Sequence, residues 1–165
     1  EDYFQKALKQ NPKYLNALVN YGNLKFELNE SQEALKLLNE ALVIDDKSIS
    51  VNINLALIYQ SLGEYEKAIE ILKKINNLNP GVVRADKMMS ALINYNENED
   101  HLLSMKQKLK KLELNNDQKV FLHFAIGKAY EDQKNYLKAT EHIELGNRLK
   151  ISTSNYSLDR EKKLF

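Results

Sequence analysis

Two short stretches of this chain decide its fold, because they repeat each other. Ala34-Leu35-Lys36-Leu37-Leu38 and Ala68-Ile69-Glu70-Ile71-Leu72 align position by position at an offset of 34 residues. The same offset carries Asn20 onto Asn54. One fixed spacing that aligns several features indicates an internal repeat, and this period is typical of stacked helical units.

Within each repeat, small and large residues recur where two helices would cross. Antiparallel helices approach to about 8–10 Å only where side chains are small, so Gly or Ala is expected at the crossing. A large apolar residue then fills the space beside it. The first helices carry Gly22, Ala56 and Gly127, the second helices carry Ala34, Ala68 and Ala139, and Phe4, Leu38, Leu72 and Ile143 follow as the large residues.

This pattern resembles the tetratricopeptide repeat (TPR) family over nearly the whole chain. Tyr59 and Tyr130 stand at the family's aromatic position late in the first helix, and Pro12 and Pro80 close two hairpins. No repeat has the family's Trp; its place is taken by Leu18, Asn52 and His123. The resemblance implies an all-α fold, a right-handed superhelical array of antiparallel helix hairpins known as an α-solenoid. Two Pro and five Gly would be too few turn residues for a β-sandwich or barrel.

The repeats predict one continuous domain over residues 1–165, since no Gly-, Ser- or Pro-rich linker divides the chain. Residues 1–14 are expected to be half a repeat, the third hairpin is degenerate, and residues 154–165 form a tail or the start of a linker. Complete hairpins are predicted at 15–48, 49–82, 83–119 and 120–153. Helices are predicted near 15–28, 31–44, 48–62, 65–78, 82–95, 100–113, 117–133 and 136–150. From the half repeat and the absent initiator Met, we expect the chain to be a fragment of a longer protein.

Composition narrows the possible partners. Twenty-four Lys and Arg against 23 Asp and Glu leave a formal charge of +1, so no overall field attracts nucleic acid or an anionic membrane. No apolar run reaches the roughly 20 residues of a membrane-spanning helix. There is no Cys, which excludes disulfides and thiolate zinc sites and fits a reducing, cytoplasmic compartment. We expect a protein or peptide partner, with neither nucleic acid nor membrane involved.

The sequence offers no active site. His101, His123 and His142 have no metal-binding spacing, and no Gly-rich phosphate loop occurs, so we expect no enzyme activity, metal or cofactor. His123 replaces a packing aromatic and is interpreted as structural. Four lysines between residues 106 and 111 are interpreted as the solvated face of a helix: Lys106, Lys108, Lys110 and Lys111.

What remains is a binding surface. In a TPR array the first helix of each hairpin lines a concave groove, and side-chain amides there can bond a peptide backbone of any sequence. The resemblance assigns the following groove residues: Asn16, Asn20, Asn23, Glu27, Ser50, Asn54, Leu57, Arg84, Lys87, Asn94, Phe121, Phe124 and Lys128. The favoured hypothesis is therefore a non-enzymatic protein-interaction scaffold. Self-association through the terminal helices is an alternative.

A second resemblance concerns residues 83–165. The run Phe124-Ala125-Ile126-Gly127-Lys128-Ala129 and the helix end Asn147-Arg148-Leu149-Lys150 are similar to the repeat preceding the catalytic domain in bacterial TPR-sulfotransferases. This resemblance implies another alternative, in which the chain recruits the acceptor for a phosphoadenosine-phosphosulfate-dependent enzyme domain lying downstream.

Some TPR domains hold a partner's terminal carboxylate in a clamp of two Lys, two Asn and one Arg. By resemblance Asn23 and Asn54 fill the Asn positions, and Arg84 replaces one Lys. Val19 and Met88 stand where the other Lys and the Arg belong. Losing two of three cations removes most of the charge-assisted bonding, so no tight carboxylate clamp is expected.

Overall fold

The computed structural model describes residues 1–97 and 99–153, which form nine α-helices and no strand. The all-α fold class is thereby confirmed. The helices are α1 (Asp2–Gln10), α2 (Leu15–Glu27), α3 (Ser31–Ile44), α4 (Ile49–Ser61), α5 (Tyr65–Leu78), α6 (Val83–Ser90), α7 (Glu99–Lys111), α8 (Asn116–Asp132) and α9 (Tyr136–Thr153).

Contacts divide the chain into two compact units, residues 1–79 with α1 to α5 and residues 80–165 with α6 to α9. The repeat boundaries inferred above and the single-domain organisation stay predictions. The expected tail, 154–165, lies outside the described residues. Among residues 1–97 and 99–153, no helix combines the length and the apolar character that spanning a bilayer requires.

The first unit is built from the hairpins α2–α3 and α4–α5, packed side by side. Its core contains Leu18, Leu38, Leu55 and Ile58, each almost fully buried. Burying one such side chain stabilises a fold by about 1.5–3 kcal/mol. A Cβ added to Gly22 would lie only 3.1 Å from Leu38 Cγ, so the small residue is needed where α2 meets α3.

Three hairpins end their first helix in the same way. Asn29, Gly63 and Lys134 take left-handed backbone conformations with φ of 63°, 76° and 57°. The next residue's N–H then bonds back to the helix, as in Asn135 N to Tyr130 O at 2.9 Å. This is a Schellman-type stop, and it turns the chain sharply into the second helix. Gly63 needs no side-chain accommodation there, whereas Lys134 adopts the same conformation at a steric cost of about 1–2 kcal/mol.

In the second unit α8 packs against α6, α7 and α9. Helix α6 ends at Ser90, so the predicted helix over 82–95 was wrong in its last turn. The following segment instead buries Ile93 and Tyr95. Its backbone is held by the side chains of α8 and its cap: Lys128 Nζ donates to Ile93 O at 2.7 Å, and Gln133 Nε2 donates to Tyr95 O at 3.2 Å. Such bonds replace the intrahelical ones that a longer α6 would have made.

Candidate functional site

A cleft of about 300 Å³ lies in the first unit between α2 and α4. We call it the Asn cleft. Four of the predicted groove residues line it together, namely Asn23, Glu27, Asn54 and Leu57, and the remaining lining residues are Phe26 and Ile58.

Helical spacing explains why these side chains meet. Asn16, Asn20, Asn23 and Glu27 follow one another at intervals of four, three and four residues, which places them along one face of α2. Ser50, Asn54 and Leu57 follow the same rule on α4. The opposite sides of both helices carry the apolar core, so the polar stripes are left facing outward.

The two central amides share the same burial and, among the described residues, lack intramolecular partners. Asn23 and Asn54 are both half-buried. In the described part of the chain neither side chain makes a hydrogen bond, so each retains two donors and an acceptor. Phe26, Leu57 and Ile58 provide an apolar floor beneath them. A concave site with apolar lining and a few oriented polar groups is the usual form of a ligand site.

The other predicted groove residues of the first unit do not line the cleft. Asn16 and Asn20 are exposed on α2. Ser50 is exposed on α4, and its hydroxyl shares a 3.1 Å hydrogen bond with that of Ser48. Val19, at the position of a clamp Lys, is buried in the core of this unit.

In the second unit, Arg84 and Lys87 are exposed on α6. The Lys87 ammonium lies 5.0 Å from the centre of the Phe121 ring, so the structure brings these two predicted residues together in a cation–π contact. Asn94 is exposed, and its Oδ1 accepts a hydrogen bond from Asn96 N at 3.1 Å.

Two further predicted residues have their contacts within the second unit itself. The Phe124 ring faces Gly146 on α9, and a Cβ there would lie 2.8 Å from Phe124 Cε1. Lys128 pairs with Asp132 on its own helix and bonds the Ile93 carbonyl. Both residues therefore help to hold the fold, a role that the groove assignment did not anticipate.

A buried polar cluster in the second unit was not foreseen. Its members are Asp86, Tyr95, His101 and Lys108, which we call the Asp86 cluster. Lys108 Nζ donates to the two Asp86 carboxylate oxygens at 2.9 and 2.7 Å, and His101 Nε2 lies 3.1 Å from Oδ1. Tyr95 Oη is 2.6 Å from His101 Nδ1.

The cluster corrects the interpretation of the α7 lysines. Lys108 is only 8% exposed and is not part of a solvated face. The signal was present in the sequence: His101, Met105 and Lys108 recur at helical spacing, so Lys108 shares a face with buried Met105. Burial, together with the charges of Asp86 and Asp132, raises the pKa of Tyr95, which therefore stays neutral.

The polar groups of the described residues fall into two kinds, a buried cluster and an open cleft. Within residues 1–97 and 99–153, no group of three or more His, Asp or Glu side chains is arranged to hold a metal ion. The Asp86 cluster is buried and paired, which suits a structural role. The Asn cleft is open and offers unpaired amides.

Comparison with known proteins gives a family and a fold. A model of the tetratricopeptide repeat matches residues 1–50 and 30–92. No curated protein matches the chain significantly. Among solved structures, the crystal structure of MamA has a TM-score of 0.71 at 18% identity, covering 93% of this chain and 88% of that one.

Two other structures are similarly alike. A MamA chain from Desulfovibrio magneticus RS-1 has a TM-score of 0.71 at 15% identity, covering 93% of this chain and 85% of that one. A putative kinesin light chain from Podospora anserina, with nearly identical TPR-like repeats, has a TM-score of 0.69 at 15% identity, covering 94% and 87%. At such identities the likeness concerns the fold. The family model covers more than half of the sequence, and the chain belongs to the tetratricopeptide repeat family.

Proposed function

We propose that this chain is a non-enzymatic scaffold, working in the cytoplasm, that binds an extended segment of a partner protein in the Asn cleft. The observation that carries the proposal is the pair of half-buried, unbonded amides of Asn23 and Asn54 above an apolar floor. Both amides are free of intramolecular hydrogen bonds within the described part of the chain, so their donors and acceptor are available to a ligand.

The geometry suggests how a peptide would sit. An Asn amide can donate to a peptide carbonyl and accept from a peptide N–H, so Asn23 and Asn54 can hold a backbone without reading its sequence. Leu57 and Phe26 would cover one apolar side chain of the partner. Glu27 on the rim favours a basic or N–H-rich neighbour. The expected ligand is thus an extended segment with one apolar anchor and no dominant negative charge.

Peptide selection tests this proposal. Random 12-residue peptides displayed on phage would be selected on the immobilised chain, and the best binder measured against an Asn23→Ala, Asn54→Ala double variant. Net hydrogen bonds are worth about 0.5–1.5 kcal/mol each, so losing two or more should weaken binding by roughly tenfold or more.

A matched control uses the second helices. Asn39 on α3 and Asn77 on α5 are exposed and lie outside the cleft. An Asn39→Ala, Asn77→Ala variant should bind the selected peptide like the wild type. Equal binding by the cleft variant, or a loss confined to the control, would sink the proposal.

The sulfotransferase alternative rests on the resemblance of residues 83–165, whose α8–α9 hairpin carries the shared sequence. We propose, as the second candidate, that these repeats recruit an acceptor for a downstream catalytic domain. Reading the gene beyond residue 165 tests it. A strand followed by a Gly- and Ser-containing phosphate loop is expected, and a stop codon or further hairpins would refute it.

Self-association is a third candidate, favoured by apolar side chains on α9. Tyr136 and Leu137 are 64% and 75% exposed. Exposed apolar side chains favour association, because pairing removes them from water. Light scattering at several protein concentrations should show mass rising with concentration, and a constant monomer mass would exclude this candidate.

A further inference from the structure

Two histidines face each other across the α8–α9 hairpin. His123 on α8 and His142 on α9 bring their Nδ1 atoms within 3.1 Å. Their ring centres are 5.2 Å apart, and the Tyr130 ring lies 5.7 Å from that of His142. Both imidazoles are half-buried, so one side of the pair is packed and the other is open to water.

The distance between the two Nδ1 atoms is suitable for chelating a transition-metal ion. Imidazole nitrogens bind Zn²⁺ at about 2.0–2.1 Å. Two nitrogens 3.1 Å apart at that bond length subtend about 98° at the metal, between a square-planar and a tetrahedral angle. Rotation of both rings, whose Nδ1 atoms now face each other, would convert the present contact into chelation.

The protonation state also suits a metal. Burial, the neighbouring histidine and Lys119 lower the pKa of His123, and burial and Lys106 lower the pKa of His142. Both rings are therefore neutral at pH 7, with lone pairs available. One ring now donates Nδ1–H to the other. On binding it would move its proton to Nε2, freeing Nδ1 with no net proton release.

We propose that His123 and His142 form a bidentate site for a divalent, imidazole-preferring metal ion, Cu²⁺ or Zn²⁺, with water completing the coordination. The ion would link α8 to α9 and stabilise that hairpin. Cu²⁺ binds more tightly than Zn²⁺ at such nitrogen ligands. The ammonium groups of Lys106 and Lys119 weaken the site by repulsion.

Copper titration tests the site on the full, untagged chain at pH 7.4, with CuCl₂ as the probe. Electron paramagnetic resonance should show hyperfine coupling to two imidazole nitrogens. His123→Gln and His142→Gln should each lower Cu²⁺ affinity by at least about tenfold, since even outer-shell losses cost that much. A spectrum with one imidazole or none, or unchanged affinity in both variants, would overturn the assignment.

A third variant leaves both ligands in place. Lys119→Gln removes a repelling charge and should raise Cu²⁺ affinity roughly two- to fivefold, the effect of one partly exposed charge. Affinity equal to or below that of the wild type would contradict the placement of the ion. Circular dichroism on each variant verifies that the helices are intact.

Discussion

Replacing Lys108 with Ala should destabilise the protein severely, although the change lies on a helix rich in surface lysines. The Asp86 side chain is fully buried, and Lys108 Nζ bonds both of its oxygens, at 2.9 and 2.7 Å. Removing the ammonium takes the Lys108 charge away from a carboxylate in a low-dielectric interior. The other polar contacts of Asp86, among them the His101 ring with Nε2 3.1 Å from Oδ1, stay in place, but the bidentate ion pair is lost.

The magnitude follows from the burial of both partners. Breaking a buried ion pair by removing one member costs about 3–5 kcal/mol, because the other charge is left desolvated. A typical domain has only about 5–15 kcal/mol of stability, so the variant would lose a large share. Replacing both partners with apolar residues, as in Asp86→Leu with Lys108→Met, should restore part of that loss, because no uncompensated charge remains. The recovery is incomplete because buried His101 Nε2 loses its acceptor, at a cost of about 1–3 kcal/mol.

Urea unfolding at pH 7, followed by circular dichroism, measures these free energies. Lys110 lies two residues further along α7 and is exposed, so Lys110→Ala is the matched control and should stay within about 0.5 kcal/mol of the wild type. A cost for Lys108→Ala no larger than that for Lys110→Ala would refute a stabilising role for the buried ion pair. A double apolar variant as unstable as Lys108→Ala alone would show that the unpaired Asp86 charge is not the cause of the loss.

Three further outcomes are expected. Gly127→Val should lower the free energy of unfolding by about 2 kcal/mol or more, since a Cβ there would lie 2.9 Å from Ile143 Cγ1. Urea unfolding measures this loss, and an unchanged stability would show that α8 and α9 can separate. Folding lowers the pKa values of His123 and His142, so the unfolded chain binds more protons than the folded one below about pH 6.5, and the free energy of unfolding should fall from pH 7 to pH 5. His142→Gln should make this pH dependence weaker. An unchanged pH dependence in that variant would show that the histidine pair is not its cause. A peptide ending in Glu-Glu-Val-Asp should not bind tightly in calorimetry, because Val19 is buried where a clamp Lys would be; low-micromolar binding abolished by amidating the terminal carboxylate would disprove this.

The hairpins could be predicted from the sequence because the residues at their helix crossings recur at a fixed spacing along the chain. Gly22 and Leu38 meet where α2 crosses α3, and Gly127 and Ile143 meet in the same way where α8 crosses α9. Each contact needs one small and one large residue at a fixed spacing, which a 34-residue period makes visible.

The end of α6 and the Asp86 cluster could not be predicted in this way. The segment after Ser90 is held by Lys128 and Gln133, which lie more than 30 residues further along the chain. Asp86 is paired with Lys108 from another helix, and no local sequence pattern predicts that pairing. Long-range polar contacts depend on how helices dock, and the stretch predicted as the third hairpin, 83–119, departs from the repeat pattern of the others.

The predicted groove residues fall into two groups for the same reason. Asn23 and Asn54 fall in one cleft because residues spaced by helical turns share a face, a rule that sequence alone supplies. Phe124 and Lys128 obey the same spacing, yet they meet Gly146 and the Ile93 carbonyl. Which side chain on a face is already engaged depends on neighbouring helices.

If the Asn cleft holds a partner's backbone, the side-chain amides of Asn23 and Asn54 will respond to the bound peptide, and NMR can observe them individually. The selected peptide would be titrated into ¹⁵N-labelled protein while the side-chain NH₂ signals of Asn23 and Asn54 are followed. Both signals should shift with the same saturation curve, and those of the exposed Asn39 and Asn77 should stay fixed. If the Asn23 and Asn54 signals do not shift at saturating peptide, the peptide backbone does not bind in the Asn cleft.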